Sequence, residues 1–137
     1  MFERILLAVD GSPRSERTIP VALDLAGRYS SEVMVVHVRE YERDEGDDVD
    51  LGPPIPADQL VERVVATFES AGITATGTVR RVSPGRTAEM IVDVAEESKA
   101  ELIVLGTRGM SEIRSLLLGG VATKVVNRAT CPVLLVR

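Results

Sequence analysis

The residues best suited to hold a charged ligand fall in three short runs. Asp10-Gly11-Ser12 follows an apolar segment near the start of the chain, Gly106-Thr107-Arg108-Gly109 follows a second, and Gly119-Gly120 precedes a helical pattern. The glycine spacing is Gly106, two residues, Gly109, nine residues, then Gly119 and Gly120. Glycine accepts positive φ, so successive backbone N–H groups can converge on an anion, and no Cβ holds phosphate oxygens away. The start of the helix near Val121 adds oriented N–H donors and a favourable dipole. Thr107 and Arg108 add a hydroxyl and a positive charge. Any one of these glycines is most simply a turn or a cap. The set, lying beyond a strand and before a helix, points to phosphate. Neither common nucleotide loop is present: Gly-x-x-x-x-Gly-Lys-Ser/Thr is absent, as is Gly-x-Gly-x-x-Gly after the first strand, so there is no Walker lysine.

Other side chains carry weaker signals. Asp10 can hold a ribose hydroxyl or a Mg²⁺ ion, and it is equally suited to an Asx turn. His37 lies in an apolar run and reads as a hydrogen-bonded strand histidine rather than a base or ligand. Cys131, before Pro132, reads as a small packed residue, and as the only cysteine it forms no internal disulfide. Arg114 and Lys124 are open to phosphate contact or to the surface, and Ser111 and Ser115 to hydrogen bonding or phosphorylation. With one carboxylate, one loop arginine and no evident base, the pattern favours binding over turnover, with very slow phosphoanhydride hydrolysis as the limit.

Five strand candidates alternate with four helix candidates to position these runs. Ile5–Val9 is continuously apolar, as is Leu102–Leu105, which suits strands covered on both faces. Ser12 caps a helix whose first position is Pro13, with a stripe of Ile19, Ala22, Leu23 and Ala26. Val33–Val38 reads as the second strand. Residues 39–56, rich in Asp and Glu and ending in Gly52-Pro53-Pro54 and Pro56, read as a long solvated loop, with metal binding by the acids a minor alternative. A helix bearing Leu60, Val64, Val65 and Phe68 follows. Ile73–Val82 alternates apolar and polar residues, the mark of a half-exposed strand at a sheet edge. A helix with Ile91, Val94 and Ala95 comes next, then a last helix with a stripe of Val121, Ala122, Val125, Val126 and Ala129, and a last strand within Cys131–Val136. This alternation implies one α/β domain over residues 1–137, a doubly wound parallel sheet with helices on both faces.

The chain has 137 residues, 45% hydrophobic and 27% charged, with two Tyr, two Phe and no Trp, so Val, Leu, Ile and Ala must build the core. Its net charge of −5 argues against a nucleic-acid or anionic-membrane partner, since both need a basic footprint. No apolar run approaches the ~18 residues of a membrane span. The opening Met1-Phe2-Glu3-Arg4 lacks the blocks of a signal peptide, and a cytoplasmic location is expected.

These motifs together resemble the universal stress protein family. Ile5–Val9 with Asp10-Gly11-Ser12 matches that family's first strand and turn, and Leu102–Leu105 with Gly106-Thr107-Arg108-Gly109 its fourth strand and loop. Gly119-Gly120-Val121-Ala122 and Cys131-Pro132-Val133-Leu134-Leu135-Val136 complete the likeness, which covers nearly the whole chain except the acidic loop. The resemblance implies five strands in the order 3-2-1-4-5 and a homodimer paired through the last strand. It also implies an adenine nucleotide, ATP or AMP, and allows a Mg²⁺ ion carried on its phosphates. Ala8, Val9 and Asp10 would lie near ribose and base, and Val38 against adenine. Gly106, Arg108, Gly109, Gly119, Gly120 and Val121 would surround the phosphates. One position departs from the family pattern: Gly120 stands where Ser or Thr is usual. A lost hydroxyl-to-phosphate bond of about 1.5–3 kcal/mol implies weaker phosphate binding, or a preference for fewer phosphates such as AMP. Dimerisation has a separate motive, because an uncharged edge strand invites a second copy.

Overall fold

The computed structural model describes residues 1–107 and 118–137. Arg108, Gly109, Ser111, Arg114 and Ser115 lie outside the described residues.

The strands are β1 (Arg4–Ala8), β2 (Glu32–Asp44), β3 (Asp47–Asp50), β4 (Ala75–Val82), β5 (Leu102–Gly106) and β6 (Val133–Val136). The helices are α1 (Pro13–Glu16), α2 (Thr18–Tyr29), α3 (Ala57–Ser70), α4 (Thr87–Glu97) and α5 (Gly120–Arg128). All pairings are parallel except that of β3, and β1 is flanked by β2 and β5, with β4 beyond β2 and β6 beyond β5. The five parallel strands therefore stand in the order 3-2-1-4-5 expected from the resemblance, and β3 is an addition.

The two-residue period of each strand divides the core. Ile5, Leu7, Val33, Val35, Leu102 and Val104 face one layer with α2 and α3. Leu6, Val36, Ile103 and Leu105 face the other, with α4 and α5. Both faces being covered is why β1 and β5 are unbroken apolar runs. Among the described residues β4 pairs only with β2, and its alternating sequence follows from α3 covering one face: a Cβ on Gly77 would stand 2.2 Å from Val61 Cγ1.

Two sequence expectations are corrected. Residues 39–56 do not form one long loop. β2 runs on to Asp44, turns through Glu45 and Gly46 at φ of 49° and 87°, and returns as β3. That positive-φ pair is the two-residue hairpin geometry, whose twist matches the strands it joins. The hairpin's charges pair off with the sheet edge: Arg81 bonds Asp48 at 3.1 Å, and its guanidinium lies 3.9 Å over the Tyr41 ring. In α5, only Ala122 and Val125 are buried, while Val121 and Val126 are exposed. A nine-residue helix with one covered side buries a narrower stripe than the run of valines suggested.

Candidate functional site

β1 and β5 lie side by side, and α2 and α5, the helices that follow them, cover opposite faces of the sheet. That reversal opens a crevice beyond the strand ends, the usual place for a ligand in an open α/β sheet. The crevice is a cavity of about 290 Å³, at the small end of ligand sites.

Asp10 is set on its wall by a closed ring of hydrogen bonds. Its Oδ1 accepts the Ser12 N–H at 2.8 Å, Ser12 Oγ accepts the Ser15 N–H at 3.1 Å, and Ser15 Oγ accepts the Asp10 N–H at 3.0 Å. Ser12 is thereby the N-cap of α1, with Pro13 in its first turn, as the sequence suggested. Gly11 has φ of +83°, which a side chain would strain. One carboxylate oxygen thus builds the Asx turn, and the residue still lines the cavity beside Ala8 and Val9.

A second wall comes from β2. On the side facing β1, the Val36 carbonyl accepts the Val9 N–H at 3.0 Å and the Glu40 carbonyl accepts the Leu51 N–H at 2.9 Å. By the alternation of a strand, Val38 turns its own N–H and C=O to that same side. β1 has ended there and β3 has not yet arrived. Val38 therefore occupies a gap in the ladder, and it opens on the cavity. An adjacent donor and acceptor in an apolar recess suit the edge of a flat heterocycle.

The third wall combines Gly106 with Gly119, Gly120, Val121 and Ala122. The Gly119 N–H is committed to the Thr107 carbonyl at 2.7 Å, tying the exit of β5 to the entry of α5. α5 has no side-chain N-cap. Its first amides, on Gly120, Val121 and Ala122, have no intrahelical acceptor and point out of the helix end. Lys124 is exposed and outside the cavity lining. Among the described residues no group of three or more His, Cys, Asp or Glu side chains gathers as a metal cluster.

The expected residues Ala8, Val9, Asp10, Val38, Gly106, Gly119, Gly120 and Val121 are thus brought to one cavity, while Arg108 and Gly109 lie outside the described residues. Sequence reasoning missed Leu51, Gly52 and Pro53, which line the outer side, and Arg39, which holds them.

His37 lines the cavity floor and is 1% exposed. Its Nδ1 lies 2.8 Å from the Val9 carbonyl, which can only accept, so Nδ1 carries the proton. Its Nε2 faces Arg39 Nη1 at 3.4 Å. Burial holds its pKa below 6.5, and the Arg39 charge acts in the same direction against the Val9 bond and the carboxylates of Asp10 and Asp50. The unfolded chain takes up a proton near pH 6.5 that the folded chain still refuses. Unfolding therefore binds a proton in that window, and stability is complete above it. Denaturation midpoints are expected to fall as pH drops from about 6.5 toward the folded value, and His37→Gln is expected to flatten that part of the curve. His37 is the only histidine, so the assignment has no competitor of its type. Equal slopes in both proteins would refute it.

Comparison with known proteins places this architecture. The model of the "Universal stress protein family" matches residues 1–137. A universal stress protein of Thermus aquaticus is 39% identical over 142 residues, covering all of both chains. The universal stress protein of Archaeoglobus fulgidus in complex with dAMP is 26% identical with a TM-score of 0.71, covering 100% of this chain and 98% of that one. A universal stress protein in complex with cAMP superposes with a TM-score of 0.74 at 23% identity, covering 99% and 97%, a likeness of fold.

Proposed function

The chain belongs to the universal stress protein family, and from that premise we propose that it is a regulatory protein that binds an adenine nucleotide in the crevice between β1 and β5. One observation carries the reading: a single cavity is walled by Asp10, by the ladder gap at Val38 and by the first turn of α5. Adenine fits the Val38 recess, its ring nitrogen and amino group meeting the strand's free N–H and C=O. The ribose lies toward Asp10, Ala8 and Val9. The phosphates meet Gly106 and the first amides of α5, whose partial positive charge favours anions, with Arg108 and Gly109 assigned to the same end. A Mg²⁺ ion would arrive on the phosphates and take Asp10 as its protein carboxylate. The relatives solved with dAMP and cAMP support an adenosine monophosphate as one ligand. No catalytic base is assigned.

Calorimetry with ATP, AMP and GTP tests the reading. Heat of binding is expected for the adenine nucleotides, and Asp10→Ala is expected to weaken ATP by about tenfold, the worth of one hydrogen bond. Absence of both heat and thermal shift with every adenine nucleotide would overturn it. Absorbance of the purified protein offers a simpler check, since two Tyr and no Trp leave retained nucleotide easy to see.

Assembly as a homodimer is part of the proposal. Among the described residues β6 is bonded to β5 alone, is half-buried along its length, and carries no charge within Val133–Val136. Pairing with a second copy would satisfy its outer backbone groups about a two-fold axis. A monomer by sedimentation at micromolar concentration would refute it.

A further inference from the structure

Arg39 is a cation in an unusual place. It is 6% exposed, and residues of its kind are almost never buried unless paired. Each nitrogen of its guanidinium has a partner. Nε bonds both carboxylate oxygens of Asp50 at 3.1 and 3.0 Å, and Nη2 lies 3.0 Å from Asp50 Oδ2. Nη2 also donates to the Pro53 carbonyl at 2.6 Å, while Nη1 donates to the Ile55 carbonyl at 2.9 Å and faces His37 Nε2 at 3.4 Å. What the charge does is hold backbone.

That backbone is the segment from Asp50 to Ile55, which crosses the mouth of the cavity. Gly52 lies so flat on the guanidinium that a Cβ there would stand 2.7 Å from Arg39 Cζ. Its N–H is fixed on Asp50 Oδ1 at 2.8 Å. Further along, Ile55 and Pro53 pack over Gly11 in the Asp10 turn. Leu51, Gly52 and Pro53 line the cavity, and the Leu51 N–H, bonded to the Glu40 carbonyl, closes the far end of the Val38 gap. Through His37, whose Nδ1–H reaches the Val9 carbonyl, the same cation is linked to the end of β1. One side chain thus sets the spacing between the strap and the strand ends.

We propose that Arg39 is a positioning residue that holds the Asp50–Ile55 strap as the outer wall of the base recess, and so gives the site its affinity for the heterocycle as distinct from the phosphates. The proposal rests on the nucleotide reading above. Five donors in a planar fork reach a carboxylate, two carbonyls and an imidazole at once, which a lysine ammonium cannot reproduce.

The test compares ATP with inorganic tripolyphosphate, which has no base, on the full chain and on Arg39→Met, Arg39→Lys and Asp50→Asn. Arg39→Met is expected to weaken ATP by about tenfold to a hundredfold while tripolyphosphate changes by less than about threefold, with Arg39→Lys and Asp50→Asn between it and the parent. Hydrogen exchange supplies the second readout. The Leu51 and Gly52 amides, bonded to the Glu40 carbonyl and to Asp50, are expected to exchange at least tenfold faster in Arg39→Met, with β1 and β5 unchanged. Asp50 is partly exposed, so Asp50→Asn keeps the experiment usable should Arg39→Met not fold. Parallel loss of both ligands, or unchanged ATP affinity in variants that fold, would overturn the proposal while leaving nucleotide binding standing. Parent protein that binds neither ATP nor AMP would overturn the nucleotide reading and this one with it.

Discussion

Gly120→Ser is expected to bind ATP about tenfold to a hundredfold more tightly than the parent chain, the equivalent of the roughly 1.5–3 kcal/mol that a hydrogen bond to a charged group contributes. Gly120 is the first residue of α5 and lines the cavity, and a Cβ built on it meets nothing within 4 Å. Its φ is not in the left-handed region, so the new side chain is unstrained. A serine there adds a hydroxyl beside the first amides of the helix without displacing anything. The gain is expected only for ligands that carry phosphate. Adenosine, measured by the same calorimetry, is expected to bind both proteins alike. Equal tightening of ATP and adenosine, or of neither, would refute the placement of phosphate at this end.

The largest effect on stability is expected at Gly77, where Gly77→Ala is expected to cost about 3 kcal/mol and to lower the melting temperature by roughly 10 °C. Its Cβ would stand 2.2 Å from Val61 Cγ1 and 3.0 Å from Val65 Cγ2. Val61 is buried in α3 and cannot swing into solvent, so relief requires α3 to move away from β4 and away from Leu60, Val64 and Phe68 in the same core layer. Gly27 is the control. It sits within α2 with nothing within 4 Å of an added Cβ, and Gly27→Ala is expected to stabilise by about 0.5–1 kcal/mol through helix propensity. Identical chemistry at two glycines is thus expected to give opposite signs. Thermal melts showing the same sign at both would refute the packing argument.

The fold was readable where one physical cause dominates. Ile5–Val9 and Leu102–Leu105 are apolar at every position because helices cover both sheet faces, and the alternation of Ile73–Val82 marks a strand covered on one. Ser12 and Pro13 announce a helix start through local bonding that needs no tertiary context. The lining of the candidate cavity was legible in part: Asp10 and the glycines at 106, 119 and 120 lie where the chain leaves or enters elements, and topology brings such ends together, whereas Val38 lies within β2 and was expected only from the family resemblance.

What was not readable required partners distant in sequence. Arg39 continues the register Val33, Val35, His37, yet a charge at the end of an apolar run reads as the strand's exit to solvent. Its burial makes sense only once Asp50 and the Pro53 and Ile55 carbonyls are found around it. The hairpin through Glu45 and Gly46 was hidden because crowded acidic residues followed by Gly52-Pro53-Pro54 and Pro56 read as a solvated loop, and like charges on both arms oppose pairing. Pairing with Arg39 and Arg81 offsets that repulsion, and the Arg39 guanidinium holds the Asp50 carboxyl below the usual carboxylate range. The exposed Val121 and Val126 show the converse, apolar residues that no neighbouring element covers.

The two borders of the parallel sheet are chemically unlike. The β4 border carries Thr76 and Thr78 followed by Arg80 and Arg81, which are ion-paired with Glu97 and Asp48 respectively, whereas the β6 border is bare aliphatic chain. A newcomer strand finds a template on one margin and crowded charge on the other, which blunts an edge against pairing. Under the proposed pairing through β6, growth by strand addition would have one margin to begin at and none to continue from, which favours a closed pair over a filament.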